Sequence, residues 1–180
     1  MFDASGGVRS LYQEFSSFLN NIEFENLNQM KDFSNQFFRN QGVTFTVYSD
    51  NKGVERIFPF DVIPRIIGIK EWTFIEKGIV QRIRALNLFL RDVYHEQFII
   101  KDKIIPPQLV INNRYFIREM INLSVPKNVY THISGVDLIR DKSGDFHVLE
   151  DNLRTPSGVS YMLENREITR RLYPNLMPKH

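Results

Sequence analysis

Apolar residues recur every three or four positions along three stretches of the chain, and this spacing is typical of amphipathic helices. The three stretches are residues 10–20, 23–40 and 71–97. In the longest, the apolar stripe runs from Trp72 to Val93, and most of its basic side chains fall beside or opposite that stripe. Gly42 follows the second stretch and can close that helix in a left-handed conformation. Each stretch is therefore predicted to form a helix.

Strand-like segments occur in two pairs, and each pair predicts an antiparallel hairpin. The first pair is residues 43–48 and 54–58, and the second pair is residues 130–140 and 146–150. The turn of the first hairpin is expected at Asp50–Gly53. In the second hairpin the turn formers are concentrated in Asp141–Asp145, where Gly144 can take a positive φ angle. The second hairpin is the more strongly indicated of the two.

Prolines mark the remaining segments. Residues 58–67 read FPFDVIPRII and cannot be helical through their prolines, so we expect an extended connector that packs Phe60, Ile63 and Ile66 inward. A last helix is expected from about Val159 to Leu172, ending before Pro174.

Composition and length are those of a globular domain. The chain has 180 residues, of which 42% are hydrophobic and 24% charged, and its 15 Phe and 7 Tyr can supply a sizeable core. Together with the patterns above this predicts a mixed α/β (α+β) fold with helices packed on a mainly antiparallel sheet. We expect residues 1–58 to form an N-terminal helical and hairpin segment and residues 59–180 the main part, joined in one compact unit.

Several classes of function are disfavoured by what the sequence lacks. Without cysteine there is no disulfide framework, thiolate zinc site or cysteine nucleophile. No window approaches 20 consecutive apolar residues, and the first residues do not resemble a secretion signal, so a cytoplasmic protein without a membrane span is expected. The four histidines show no metal-binding spacing. The sequence around Ser160 lacks the second glycine of a nucleophile elbow, which argues against a serine hydrolase.

Charge gives little support to nucleic-acid binding. The net charge is +2, although residues 56–118 carry 11 Lys and Arg against 6 Asp and Glu. These cations mostly occupy the solvent side of a predicted helix and are interleaved with acids. Since there is no contiguous basic run or aromatic–basic sheet motif, we expect no nucleic-acid partner.

The second predicted hairpin carries the side chains with the clearest chemistry. Side chains alternate along a strand, so Glu150 and Asn152 share a face and His147 points away from Glu150. If Asp141–Gly144 form the loop, Asp137 lies opposite Val148 and diagonal to Glu150, within reach of one small cation. Three oxygen donors are suited to Mg²⁺. The simpler alternative is a hairpin whose acidic side chains are merely solvated.

The residues that follow could complete an anion site. Arg154 is expected to project from the loop next to Asn152, and Ser157 and Gly158 precede the last helix. Backbone N–H groups at a helix start attract phosphate, whereas a plain helix cap is the simpler role for Ser157. A metal ion, a guanidinium and a helix start are the parts needed to hold a phosphorylated intermediate.

The tract HISGVDLIRDKSGDFHVLEDNLRTPSGVSYMLENR resembles the circularly permuted ATP-grasp family related to glutathionylspermidine synthase. The tracts FDASGGVRSLY, FPFDVIPRII and YHEQFIIKDKIIPP are similar to the N-terminal portion of the same family, so the resemblance extends over nearly the whole chain. It implies a partial permuted ATP-grasp fold and an ATP- and Mg²⁺-dependent ligase. Such enzymes phosphorylate a carboxylate and let an amine or another nucleophile displace the phosphate.

The resemblance also implies roles for individual residues. Asp137, Glu150 and Asn152 match the Mg²⁺ ligands of the family, and Arg154 stands where a catalytic phosphate or substrate contact is expected. Ser157 and Gly158 would contact the nucleotide phosphates. A substrate role is implied for three further residues, Asp61, Arg65 and Arg118.

The chain departs from the family in length. The lysine-bearing sheet that clamps the nucleotide would lie downstream of His180, and no Gly-rich nucleotide loop replaces it. We therefore interpret the chain as the N-terminal part of a carboxylate–amine ligase, through artificial shortening or a split reading frame, and inactive alone. Its partners would be the missing C-terminal half and the carboxylate and amine substrates, with self-association through the uncovered apolar surface. The alternative is a non-catalytic remnant or binding module with the same fold.

Overall fold

A computed structural model describes residues 1–49 and 52–176. The helices are α1 (Gln13–Asn20), α2 (Phe24–Asn40), α3 (Ile69–Tyr94), α4 (Phe98–Lys101), α5 (Pro107–Val110) and α6 (Val159–Leu172). The strands are β1 (Thr44–Ser49), β2 (Lys52–Ile57), β3 (Gly135–Arg140) and β4 (Phe146–Asn152). Short 3₁₀ turns cover Ser10–Tyr12, Arg118–Met120 and Pro126–Asn128. The mixed α/β class is confirmed, and the strands form two separate two-stranded antiparallel sheets, β1–β2 and β3–β4.

The chain divides into two compact units. The first consists of Met1–Gly68 and the chain from Gly158 onward, and the second is Ile69–Ser157. The division of the sequence at residues 58 and 59 remains a prediction.

The first unit has a core of aromatic residues. Tyr12, Phe15 and Tyr173 are buried together, and the Tyr173 ring lies 5.5 Å from that of Phe15 in an edge-on contact. A second buried cluster joins Phe37 and Phe38 of α2 to Ile168 of α6. These contacts hold α6 against α2 although the two helices are more than 100 residues apart in sequence.

Glycine ends α2 as the sequence predicted. Gly42 has φ +66°, and its N–H donates to the carbonyl of Arg39 while the N–H of Val43 donates to the carbonyl of Phe38. This pair of bonds satisfies carbonyls that the helix end would otherwise leave free, and Val43 packs on the Phe37–Phe38 cluster. The chain is thereby turned directly into β1.

The first hairpin and the connector differ from expectation at two points. Pairing extends to Ser49 and Lys52, so Lys52 and Gly53 belong to β2 and not to the turn, whereas the predicted turn residues 50 and 51 lie outside the described residues. The connector is not helical, as predicted, but it bends at residues 62 and 63, and Phe60 and Ile66 pack inward. Ile63 does not, because 43% of its surface is exposed.

The second unit is built on α3. Val93 and Ile75 are buried, but Trp72, at the start of the predicted stripe, is half-exposed. The helix ends three residues before the predicted Gln97 because the Asp92 carboxylate accepts the N–H groups of Phe98 and Ile99 and so starts α4. No helix in the described ranges is both long enough and apolar enough to cross a membrane.

β3 is shorter than the sequence predicted. Residues 130–134 are not strand, because the Asn87 side chain of α3 accepts the N–H groups of Tyr130 and Thr131 at 2.7 and 3.2 Å. Those groups are therefore unavailable to a sheet. His132, which the pattern placed in a strand, lies in this segment.

Candidate functional site

The β3–β4 hairpin has two chemically different faces. We call one the α3 face because its side chains meet α3. There Arg140 contacts Glu71 at 2.6 Å, and Asp151 contacts Arg82 at 2.6 Å. The other, which we call the open face, carries five exposed side chains, those of Asp137, Ile139, His147, Glu150 and Asn152.

Strand pairing brings Asp137 directly opposite Glu150. The expected register, with Asp137 opposite Val148, was wrong. Arg140 pairs with Phe146, and Leu138 pairs with Val148, so Leu149 is an extra residue bulged out of β4. Side chains of directly paired residues share a face, so Asp137 and Glu150 lie on the same side.

The bulge at Leu149 decides which residue faces Asp137. Had the pairing continued unbroken from Arg140 and Phe146, Asp137 would stand opposite Leu149, and Glu150 would point to the α3 face. The extra residue shifts the alternation of β4 by one position, so Glu150 points to the open face. It also places His147, opposite Ile139, on the same side as Glu150, which corrects the prediction that they point apart.

Glu150 and Asn152 are already in contact. The amide nitrogen of Asn152 donates to a Glu150 carboxylate oxygen at 2.9 Å, which leaves the Asn152 amide oxygen available. The Asp137 carboxylate makes no hydrogen bond or ion pair with any residue that the structure describes. Two carboxylates and an amide oxygen on one exposed face are a donor set that suits Mg²⁺.

No cluster of three or more His, Cys, Asp or Glu that could hold a metal ion occurs in residues 1–49 and 52–176. A metal site here would thus rest on two carboxylates and one amide, with water and phosphate oxygens completing the coordination, as is usual for Mg²⁺.

A glycine faces the proposed ligands. Gly135 pairs with Asn152, and a Cβ at this position would lie 3.4 Å from the Asn152 Cβ and 3.0 Å from that of Pro156. A side chain would therefore touch Asn152 at contact distance and press on Pro156, which would have to move by a few tenths of an ångström. Gly135 leaves this corner of the open face free.

On the α3 face, charge is neutralised within the fold. Arg82 donates to both carboxylate oxygens of Asp151, and these hydrogen bonds lower the pKa of Asp151 below its usual range and raise that of Arg82. Asp151 is thus engaged in fixing the hairpin to α3.

The hairpin loop is held by another carboxylate. Asp141 accepts the Ser143 hydroxyl at 2.7 Å, the Asp145 N–H at 2.9 Å and a His147 ring nitrogen at 2.8 Å. These bonds, that from Ser143 first, hold the pKa of Asp141 well below its usual range. Gly144 has φ +96°, as the turn prediction required.

Arg154 lies next to an aromatic ring. Its guanidinium carbon is 5.1 Å from the ring centre of Tyr115, and that of Arg114 is 4.6 Å from the same ring. Sequence reasoning missed the contact of Arg114 and Tyr115 with Arg154, because it joins a loop to residues about 40 positions earlier. Only an adjacent Arg–Tyr pair hinted at it.

The other predicted site residues are spread over both units. Ser157 is exposed, and α6 is capped by Gly158 with no side-chain hydrogen bond, so Ser157 is not the helix cap. Arg118 in the second unit and Arg65 in the first are exposed. Asp61, also in the first unit, accepts the N–H of Ile63 in a local turn.

Comparison with known proteins places these features in a family. An uncharacterized protein of Mycobacterium tuberculosis is 44% identical to all of this chain, which covers 32% of that relative. An uncharacterized protein of Synechocystis is 45% identical over 98% of the chain and 37% of its own length. A Frankia alni protein named "putative glutamate–cysteine ligase 2-3" is 35% identical over 98% of the chain and 20% of its own length.

The chain thus spans about a third of the length of the first of these relatives. The family model described as circularly permuted ATP-grasp type 2 matches residues 64–180, a range that includes the whole β3–β4 hairpin, the Arg154 loop and α6. The ATP-grasp resemblance of the sequence is thereby confirmed, and the chain belongs to the circularly permuted ATP-grasp type 2 family.

Proposed function

We propose that this chain supplies the metal-binding hairpin of an ATP-dependent carboxylate–amine ligase. The observation that carries the proposal is the open face, where Asp137 stands opposite Glu150, and Asn152 is hydrogen-bonded to Glu150. Family membership supports the ligase class, and the name of the Frankia relative is consistent with it.

Asp137, Glu150 and Asn152 would hold Mg²⁺ through oxygen atoms. When bound, the ion supplies positive charge that neutralises phosphate oxygens during phosphoryl transfer. The chain contributes the arrangement of the ligands. The Asn152 amide nitrogen fixes the Glu150 carboxylate, and the two ion pairs on the α3 face hold the hairpin in place. Such preorganisation reduces the reorganisation needed when the charged substrate arrives.

The reaction in this proposal has two steps. The γ-phosphoryl group of ATP is transferred to a substrate carboxylate, and ADP leaves. An amine then attacks the acyl carbon, loses a proton and displaces inorganic phosphate, which leaves an amide bond. Arg154, an exposed cation two residues after Asn152, would contact the phosphate or the carboxylate substrate. Ser157 and Gly158 would contribute to phosphate binding, while Asp61, Arg65 and Arg118 remain proposed substrate contacts.

The test is Glu150→Ala in the full-length gene product that carries this chain. We expect ATP-dependent ligation to be abolished, a loss of about 10³-fold, because the variant removes a charged ligand from the site of phosphoryl transfer. Activity is measured as ADP release with the carboxylate and amine supplied. Turnover retained at saturating Mg²⁺ would contradict the assignment.

A non-catalytic binding module is the second candidate, favoured by the exposure of Asp137 and Glu150, which is also typical of solvated surface acids. Calorimetric titration of this chain with Mg²⁺ and ATP separates the two. Nucleotide binding that requires Mg²⁺ and disappears in Glu150→Ala supports an enzymatic site. If the chain is folded by circular dichroism and the titration gives no heat of binding, the non-catalytic module is supported.

A further inference from the structure

A cavity of about 590 Å³ lies within the second unit, and its lining includes none of the proposed metal ligands. Its walls are mostly apolar and aromatic, with contributions from Leu90, Tyr94, Ile117, Met120 and Tyr130. Arg114, Tyr115 and Arg154 also line it, and none of the described residues in its lining is acidic. The size falls within the range of small-molecule sites.

The aromatic wall is held rigidly by its neighbours. The buried Tyr94 ring stacks on Phe116, with ring centres 4.9 Å apart, and lies nearly parallel to the ring of Tyr130 at 6.2 Å. The Tyr94 hydroxyl accepts the Ile117 N–H at 3.2 Å. Asn87 of α3 fixes the backbone at Tyr130. The wall is therefore preformed, which lowers the entropic cost of binding a ligand.

Two arginines that line this cavity have no acidic partner in the part of the chain that the structure describes. Arg114 and Arg154 both lie over the Tyr115 ring, and Arg114 also donates to the Tyr115 hydroxyl. Neither forms an ion pair with any described residue, whereas three other arginines of the same unit do, namely Arg82, Arg91 and Arg140. Two like charges gathered on one ring favour an anion beside them.

We propose that this cavity binds the carboxylate substrate of the ligase, a small organic acid whose carboxylate meets Arg114 and Arg154 and whose apolar or aromatic body lies against the Tyr94–Tyr130 wall. The planar guanidinium group matches a carboxylate with two parallel hydrogen bonds. The wall supplies apolar contact that inorganic phosphate could not use. The identification of the ligand as a ligase substrate rests on the proposed function. The binding of a small organic acid in this cavity does not depend on it.

The test compares two matched probes, 3-phenylpropionate and its neutral amide, by calorimetry on the 180-residue chain without Mg²⁺ or ATP. We expect the acid to bind at least about tenfold more tightly than the amide, because hydrogen bonds to charged groups contribute more than neutral ones. Acetate, which lacks the apolar body, and inorganic phosphate should both bind more weakly than 3-phenylpropionate. Equal affinity for acid and amide, or tighter binding of phosphate, would overturn the proposal.

Variants locate the site. Arg114→Ala and Arg154→Ala should each weaken binding of 3-phenylpropionate about tenfold. Arg84→Ala is the matched control, since Arg84 is an exposed arginine of the same unit that does not line the cavity, and it should leave the affinity unchanged. Circular dichroism verifies folding, and equal loss in all three variants would contradict the assignment. Glu150→Ala should not alter the binding of 3-phenylpropionate. A wrong assignment of the metal site and a wrong assignment of the cavity can therefore be told apart.

Discussion

Glu150 and Asp151 are neighbours in β4, yet their carboxylates have different surroundings. Asp151 meets Arg82 in a two-pronged ion pair, and only 14% of its side chain is exposed. Glu150 is exposed on the open face, where its contact is with the Asn152 amide. The carboxylate on the α3 face thus stabilises the fold through an ion pair, whereas the carboxylate on the open face has no cation partner among the described residues.

This contrast separates structural carboxylates from candidate ligands. A carboxylate already neutralised by an arginine would have to give up that partner to bind a cation. Asp137 and Glu150 have no such cost, since neither forms an ion pair within the described ranges. Exposure alone does not distinguish them from solvated surface acids; their direct pairing across the strands brings two carboxylates to one face.

The largest difference between the two faces should be seen in metal binding. Asp137→Asn should weaken Mn²⁺ binding at least about tenfold, because a charged ligand is lost, while Asp151→Asn should change it little. Mn²⁺ replaces Mg²⁺ as a paramagnetic probe, and line broadening of the amide signals of β3 and β4 is the readout. Equal broadening in both variants would remove the distinction between the faces.

A smaller difference should appear in acid stability. The lowered pKa of Asp151 means that its carboxylate stabilises the fold above its ordinary pKa near 4 and that this contribution is lost as pH falls through the lowered value. Asp151→Asn should therefore lower Tm by about 2–4 °C at pH 7, with the gap from the parent protein closing below pH of about 4. Thermal melts from pH 7 to pH 3 measure this.

Glu150→Gln is the control for that experiment, because it changes a neighbouring carboxylate that has no arginine partner in the described part of the chain. Its Tm should match that of the parent protein at neutral pH. A gap for Asp151→Asn that widens towards acid would contradict the assigned role of the Arg82 ion pair.

The smallest effect is expected from removing the bulge. Deleting Leu149 leaves Val148 next to Glu150, so Leu138 and Asp137 keep their partners and Glu150 stays on the open face. Mn²⁺ affinity should then change by less than about threefold. A loss as large as that of Asp137→Asn would mean that the bulge itself aims Glu150, beyond preserving the alternation.

Local patterns predicted most of the elements. The ends of α6, the glycine closure of α2 and the positive φ of Gly144 follow from residues within a few positions of each other. The register of the second hairpin did not, because a bulged residue leaves no mark in an alternation of exposed side chains such as Val148 and Leu149. The shortening of β3 was also hidden, since it depends on Asn87, more than 40 residues away.

Strand spacing predicted that Asp137, Glu150 and Asn152 share a face, but not the register that brings Asp137 opposite Glu150. Their role as metal ligands stays a prediction. The Arg114–Tyr115–Arg154 contact needed the fold, because nothing local connects residues 114 and 154. Sequence patterns therefore predict what a single element presents, and the structure is needed for what two distant segments share.

Gly135 lies next to two segments, the end of β4 at Asn152 and the following loop at Pro156. Its α-carbon faces Asn152 and Pro156, and a Cβ there would lie 3.0 Å from that of Pro156, so Pro156 would have to move by a few tenths of an ångström. Where β4 leads into the loop that carries Arg154, Asn152 and Pro156 thus lie next to the α-carbon of Gly135 and not next to a side chain. A side chain at this position would contact both Asn152, one of the proposed cation ligands, and Pro156 of the loop that carries Arg154, so a residue with no part in the proposed chemistry touches both segments.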